Sequence, residues 1–127
     1  MTSEDPDFPI EAALLPGRDQ GWRAAVTGKQ TIRLHFIEAQ NIQRIQVSFL
    51  ETIVTRTQEF LISCSHDNGR SFKEVVRQQW NFSPDGSTSE LEDYTVALTE
   101  VTDIELKITP DTSGKSAYAT LAKMHIA

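Results

Sequence analysis

The run Arg77-Gln78-Gln79-Trp80-Asn81-Phe82 gathers the side chains that recognition of a sugar requires. An indole offers a flat apolar face to the C–H side of a pyranose ring, while Arg, Gln and Asn present hydrogen-bonding groups in fixed geometry for its hydroxyls. Arg77, Gln79, Trp80 and Asn81 are therefore the first candidate ligand-binding residues. The plainer reading is that Trp80 packs into the core while Gln79 and Asn81 satisfy loop backbone. Trp22 and Arg23 form a second candidate, set against an indole that simply closes the bottom of the core. Arg18 and Arg56 either join such a polar site or lie solvated on the surface. His66-Asp67-Asn68 beside Asp111-Thr112 offers oxygen ligands, but fewer than the roughly six to eight that Ca²⁺ takes. Hydrogen bonding of Asp67 to its own turn accounts for that residue without a metal.

Chemistry of the catalytic kind finds little support. His35, His66 and His125 lack a metal-ligand spacing, and there is no nucleophile elbow, phosphate-cradling loop or zinc motif. Glu90, Glu92 and Asp93 include a potential carboxylate pair, but such a charge run reads as a solvated face. Cys64 lies on the apolar side of a strand pattern and reads as a small core residue. No catalytic residue, metal or cofactor is assigned.

The elements that must carry these residues are strands. Ile32, Leu34 and Phe36 alternate with Thr31, Arg33 and His35; Ile45, Val47 and Phe49 with Arg44, Gln46 and Ser48; Ile104, Leu106 and Ile108 with Glu105 and Lys107. Phe60, Ile62 and Cys64 share one face, and Asn68-Gly69 supplies the positive φ values of a two-residue type I′ hairpin leading to Phe72–Val76. Residues 37–42 read as a connection, 52–58 as a loop or edge strand, and 81–89 as a long irregular stretch. Strands are expected over 92–98, 103–109 and 118–126. About eight short, half-buried strands predict an all-β, antiparallel β-sandwich. Residues 1–20, broken by Pro6, Pro9 and Pro16-Gly17, read as an arm packing on a body of residues 21–127.

Composition narrows the partners. A chain of 127 residues makes one domain, able to bury roughly two thirds of its unfolded surface without a disulfide or metal. The net charge of −6 opposes a phosphate backbone, so nucleic acid is not an expected partner. No apolar run nears the ~20 residues of a membrane span, and the acidic start predicts a cytosolic chain or a component of a larger assembly.

The order of elements resembles the discoidin domain, also called the coagulation-factor type C domain, a jelly-roll sandwich of the galactose-binding-like superfamily. Gly21-Trp22-Arg23-Ala24, Gln30-Thr31-Ile32-Arg33-Leu34, Ile42-Gln43-Arg44-Ile45, the stretch from Glu59 to Phe72 with its Ser65-His66-Asp67 turn, and the closing pair 101–110 and 119–126 carry the resemblance. It spans residues 21–127 and implies a ligand face made from loops at one end of the sandwich. The chain lacks the second cysteine with which extracellular members close the fold, and it shows none of the apolar loop tips of membrane-binding members. The expectation is a non-catalytic module that binds a carbohydrate or polyol. The alternative is an intracellular scaffold that binds a peptide or partner subunit.

Overall fold

The computed structural model describes residues 3–7, 10–15 and 21–127. A single helical turn, α1 (Glu11–Leu14), precedes the strands β1 (Trp22–Arg23), β2 (Gln30–Leu50), β3 (Arg56–Ser65), β4 (Lys73–Phe82), β5 (Ser89–Thr109), β6 (Thr120–Leu121) and β7 (Lys123–Ile126). Every strand pairing is antiparallel, in the order β4-β3-β5-β2-β7, with β1 and β6 forming a separate pair.

Two strands of 21 residues, β2 and β5, build the sandwich. The first part of β2 pairs Gln30 with Ile108 and His35 with Asp103; its second part pairs Ile42 with Leu98 and Leu50 with Ser89. Register shifts between His35 and Arg44 let β2 fold over, and β5 folds over beside it. Each strand thus runs along one layer, turns at the far end and returns in the other layer. One layer contains β4, β3 and the facing halves 103–109 and 30–36. The other contains 89–98, 42–50 and β7. The fold is an antiparallel jelly-roll sandwich.

The alternating residues meet between the layers. Ile32, Ile45, Val47, Phe49, Phe60, Ile62, Cys64, Ile104, Leu106 and Ile108 are all buried, and the rings of Phe49 and Phe60 lie 5.2 Å apart. Segments expected as separate strands, 92–98 and 103–109, are one bent strand, and residues 37–41 are extended rather than a connection. Polar residues at these bends hide the continuity, because the fold-over exposes them on every side.

The hairpin between β3 and β4 is antiparallel, but its turn is longer than two residues. Cys64 pairs with Lys73, and 66–72 form the loop. Asn68 (φ 61°) and Gly69 (φ 84°) take the left-handed conformation. Asp67 organises the rest: Oδ1 accepts from the Ser71 amide at 2.9 Å and from Ser65 Oγ at 2.7 Å, and Oδ2 accepts from Ser71 Oγ at 2.6 Å. These hydroxyls hold the Asp67 carboxyl well below the usual carboxylate range. Near the N-terminus, Trp22 Nε1 donates to the Ser3 carbonyl at 3.0 Å and Ala13 is buried against the core.

Candidate functional site

Loops 51–55, 83–88 and 110–119 gather at one end of the sandwich, and the fold-over segments and the 66–72 loop lie at the other. A cavity of about 560 Å³ opens at the loop end, between Gly21-Trp22-Arg23, Leu50–Val54 and Ser116–Ala122. Its walls follow from strand alternation. β1 pairs Trp22 with Leu121 and Arg23 with Thr120, so Trp22 turns inward and is buried while Arg23 turns toward the cavity side. Gly21 is required by the same close approach: a Cβ there would stand 2.2 Å from the Leu121 carbonyl oxygen. Backbone bonds from Ala24 to Ala119 and from Gly28 to Ala117, both 3.0 Å, tie the 110–119 loop to the body. Tyr118 projects from that loop, and the Arg23 guanidinium lies 4.6 Å from its ring centroid.

The opposite wall is held by a buried arginine. Arg56, on the core-facing side of β3, has a fully buried side chain. Its Nε donates to Glu51 Oε1 at 2.8 Å, and its Nη1 donates to the Pro110 carbonyl at 2.9 Å and to Gln58 Oε1 at 3.0 Å. Glu51 Oε2 in turn accepts from the amides of Ile53 at 3.2 Å and Val54 at 3.4 Å, fixing the loop. Burial pushes the Glu51 carboxyl up, but the Arg56 and amide hydrogen bonds outweigh it and hold the group below its usual range. Leu50, Ile53 and Val54 are exposed along this rim. Arg56 is thus not a solvated surface residue; period two along β3 places it with Gln58 and Phe60 on the inner face. Arg18, its sequence companion, lies outside the described residues.

Arg77, Gln79, Trp80 and Asn81 do not form the cluster that their adjacency suggests. In β4 they alternate: Trp80 pairs with Gln58 and half-buries against the core, while Arg77, Gln79 and Asn81 point to the outer face. Trp80 Nε1 donates to Ser87 Oγ at 3.0 Å. Arg77 pairs with Glu59 and with Glu74, the latter at 3.2 Å, and Asn81 Oδ1 accepts from Thr57 Oγ1 at 2.7 Å. Only a shallow depression of about 360 Å³ joins Gln79, Trp80 and Asn81 along the edge of β4. Trp22, the other candidate indole, spends its N–H on Ser3 and forms floor rather than ligand platform. Trp22 and Arg23 both line the cavity, Trp22 as a buried residue and Arg23 with its guanidinium beside Tyr118.

The acidic run also divides. Glu90 and Glu92 pair with Phe49 and Val47, so they face inward, whereas Asp93 faces outward and binds Arg44. Gln58 Nε2 donates to Glu90 Oε1 at 3.4 Å. Glu90 Oε2 is buried without a hydrogen-bond partner. Burial first, and then the adjoining Glu92 carboxyl, push Glu90 up to about 8, so it keeps its proton at neutral pH. Burial, with Glu92 and Glu90 nearby, raises Tyr94 to about 12.

The two acidic turns considered for calcium sit at opposite ends of the molecule. Thr112 donates to the Thr57 carbonyl at the start of β3, whereas Asp67 follows its last residue. Ten residues of strand separate them, on the order of 30 Å. Asp111 Oδ1 accepts from the Ser113 amide at 2.9 Å and Oγ at 2.8 Å. His35 bonds Asp103 at 3.1 Å on the outer face, and His66 lies by the Glu100 carbonyl at 3.2 Å.

No family model matches the chain, and no curated protein matches it in sequence. Solved structures do resemble it. The family 32 carbohydrate-binding module of AlyQ, in complex with 4,5-unsaturated mannuronic acid, superposes with a TM-score of 0.62 at 21% identity, over 98% of this chain and 89% of that one. The family 32 module of NanJ from C. perfringens, in complex with galactose, gives 0.64 at 16% identity over 98% and 88%. The N-terminal domain of the single-strand break repair protein XRCC1 gives 0.64 at 12% identity over 98% and 91%. At these identities the likeness establishes the fold alone, the antiparallel jelly-roll sandwich.

Proposed function

We propose that the chain is a non-catalytic carbohydrate-binding module that holds its sugar in the cavity at the loop end of the sandwich. The observation that carries this reading is the cavity itself. At about 560 Å³ it suits one or two sugar rings, and mainly apolar walls surround a few polar groups held rigidly from behind. Tyr118 provides flat surface, with the Arg23 guanidinium over its ring; Arg23 and Thr120 provide hydrogen-bonding groups. Support also comes from the neighbours whose names describe bound mannuronic acid and galactose.

Calorimetric titration with a panel of mono- and oligosaccharides tests the reading. Binding at millimolar or better is expected, weakened about tenfold or more by Tyr118→Ala in a protein that melts like the wild type. Absence of binding by every saccharide of the panel rules it out.

The exposed Leu50, Ile53 and Val54 on the rim favour a second reading, a protein-interaction domain. Retention of one partner at equal stoichiometry, unaffected by competing sugars, selects it over the first.

A further inference from the structure

The cavity has an electrostatic asymmetry that points to its ligand. Among the described residues, Arg33, Arg44, Arg56 and Arg77 each pair with a carboxylate, while Arg23 and Arg70 make no ion pair. Arg23 is also the arginine of the cavity lining. The one acidic lining residue, Glu51, is neutralised from behind by Arg56, and its second oxygen is occupied by two backbone amides. A chain of net charge −6 therefore presents one positive charge without an ion-pair partner in the cavity at its loop end.

The geometry of that charge is specific. The Arg23 guanidinium carbon lies over the Tyr118 ring, 4.6 Å from its centroid, a contact that engages the cation without using its N–H groups in an ion pair. A planar fork of donors matches a carboxylate through two parallel hydrogen bonds, whereas it has no comparable match with a single hydroxyl. Walls of Leu50, Ile53, Val54 and Ala117 suit the C–H surface of a sugar ring.

We infer that the cavity selects an acidic sugar, a hexuronate whose carboxylate pairs with Arg23. This rests on the carbohydrate reading above and adds the charge class of the ligand.

The experiment compares galacturonate, its uncharged methyl ester and galactose, with glucuronate and glucose as a second set, by calorimetry at low and high ionic strength. The acid is expected to bind about tenfold more tightly than its ester or the neutral hexose, and the advantage shrinks as salt is added. Arg23→Gln collapses the acid-to-ester ratio toward one, and Arg23→Lys, which keeps the charge but loses the fork, leaves an intermediate ratio. The ester comparison needs no variant, so a folding defect in either variant does not obscure the result. Equal binding of acid, ester and hexose overturns the inference while leaving the carbohydrate reading intact. A sulfated hexose that binds more tightly than the uronate overturns the carboxylate assignment. If no saccharide binds, charged or neutral, the carbohydrate reading itself fails and takes this inference with it.

Discussion

Replacing Glu90 by Gln should make the protein more stable at alkaline pH and leave it little changed at acid pH. An acid whose pKa rises on folding holds its proton more tightly folded than unfolded. Stability is then greatest below the unfolded value, near 4.5, and falls as pH climbs toward the folded value of about 8. For one proton the slope approaches 1.4 kcal/mol per pH unit, so the ceiling over that window is about 5 kcal/mol. Relaxation of the fold around the ionised group reduces this to about 2–4 kcal/mol. Glutamine imitates the protonated acid at every pH: its oxygen still accepts from Gln58, and its amide donates to Glu92. Urea unfolding followed by tryptophan fluorescence from pH 5 to 9 measures both proteins. The informative quantity is the difference between the two curves, since the two proteins differ at this one residue. That difference should stay below about 1 kcal/mol at pH 5 and reach about 2–4 kcal/mol in favour of Glu90→Gln by pH 8.5. A flat difference, or a variant less stable throughout, would show that Glu90 is ionised in the fold.

Two further outcomes concern the frame. Phe60→Ala removes a ring that is 1% exposed and packed on Phe49, and should cost about 3–5 kcal/mol in chemical denaturation; a melting temperature equal to wild type refutes the packing argument. Gly69→Val forces a β-branched residue to φ 84° with its Cβ 3.4 Å from Arg33 Nη1, and about 1–3 kcal/mol should be lost. An unchanged denaturation midpoint there means that the 66–72 loop relaxes to another conformation.

Much of the frame is legible because period-two alternation needs no distant information. Ile32, Ile45, Phe60 and Ile104 and their strand neighbours declare the inner face by themselves. The fold-over of β2 and β5 is not legible, since Glu38-Ala39-Gln40-Asn41 looks the same whether it ends a strand or bends one. Polar residues on the inner face are hidden for a different reason. Arg56, Gln58, Glu90 and Glu92 violate the apolar pattern, and the partners that make them tolerable, Pro110 for Arg56 and Glu90 for Gln58, lie 54 and 32 residues away in sequence. The site suffered from the same alternation that revealed the core. Adjacency in Arg77-Gln78-Gln79-Trp80-Asn81 looks like a cluster, but consecutive residues of a strand face opposite ways. Arg23 was visible as a candidate; Tyr118 and the Glu51-anchored loop join it only through pairings across the fold. The Ile53-Val54 pair was the available signal for an apolar loop tip.

Because β2 and β5 each belong to both layers, the sandwich has no plane along which it can part without breaking the covalent course of its two longest strands. The two bends restrain shear between the halves at one end, and the buried core opposes their opening at the other. Whatever yields when a visitor arrives must therefore be found in the connecting segments at the open rim. Sequence drift there can refashion what is grasped while the scaffold stays as it was.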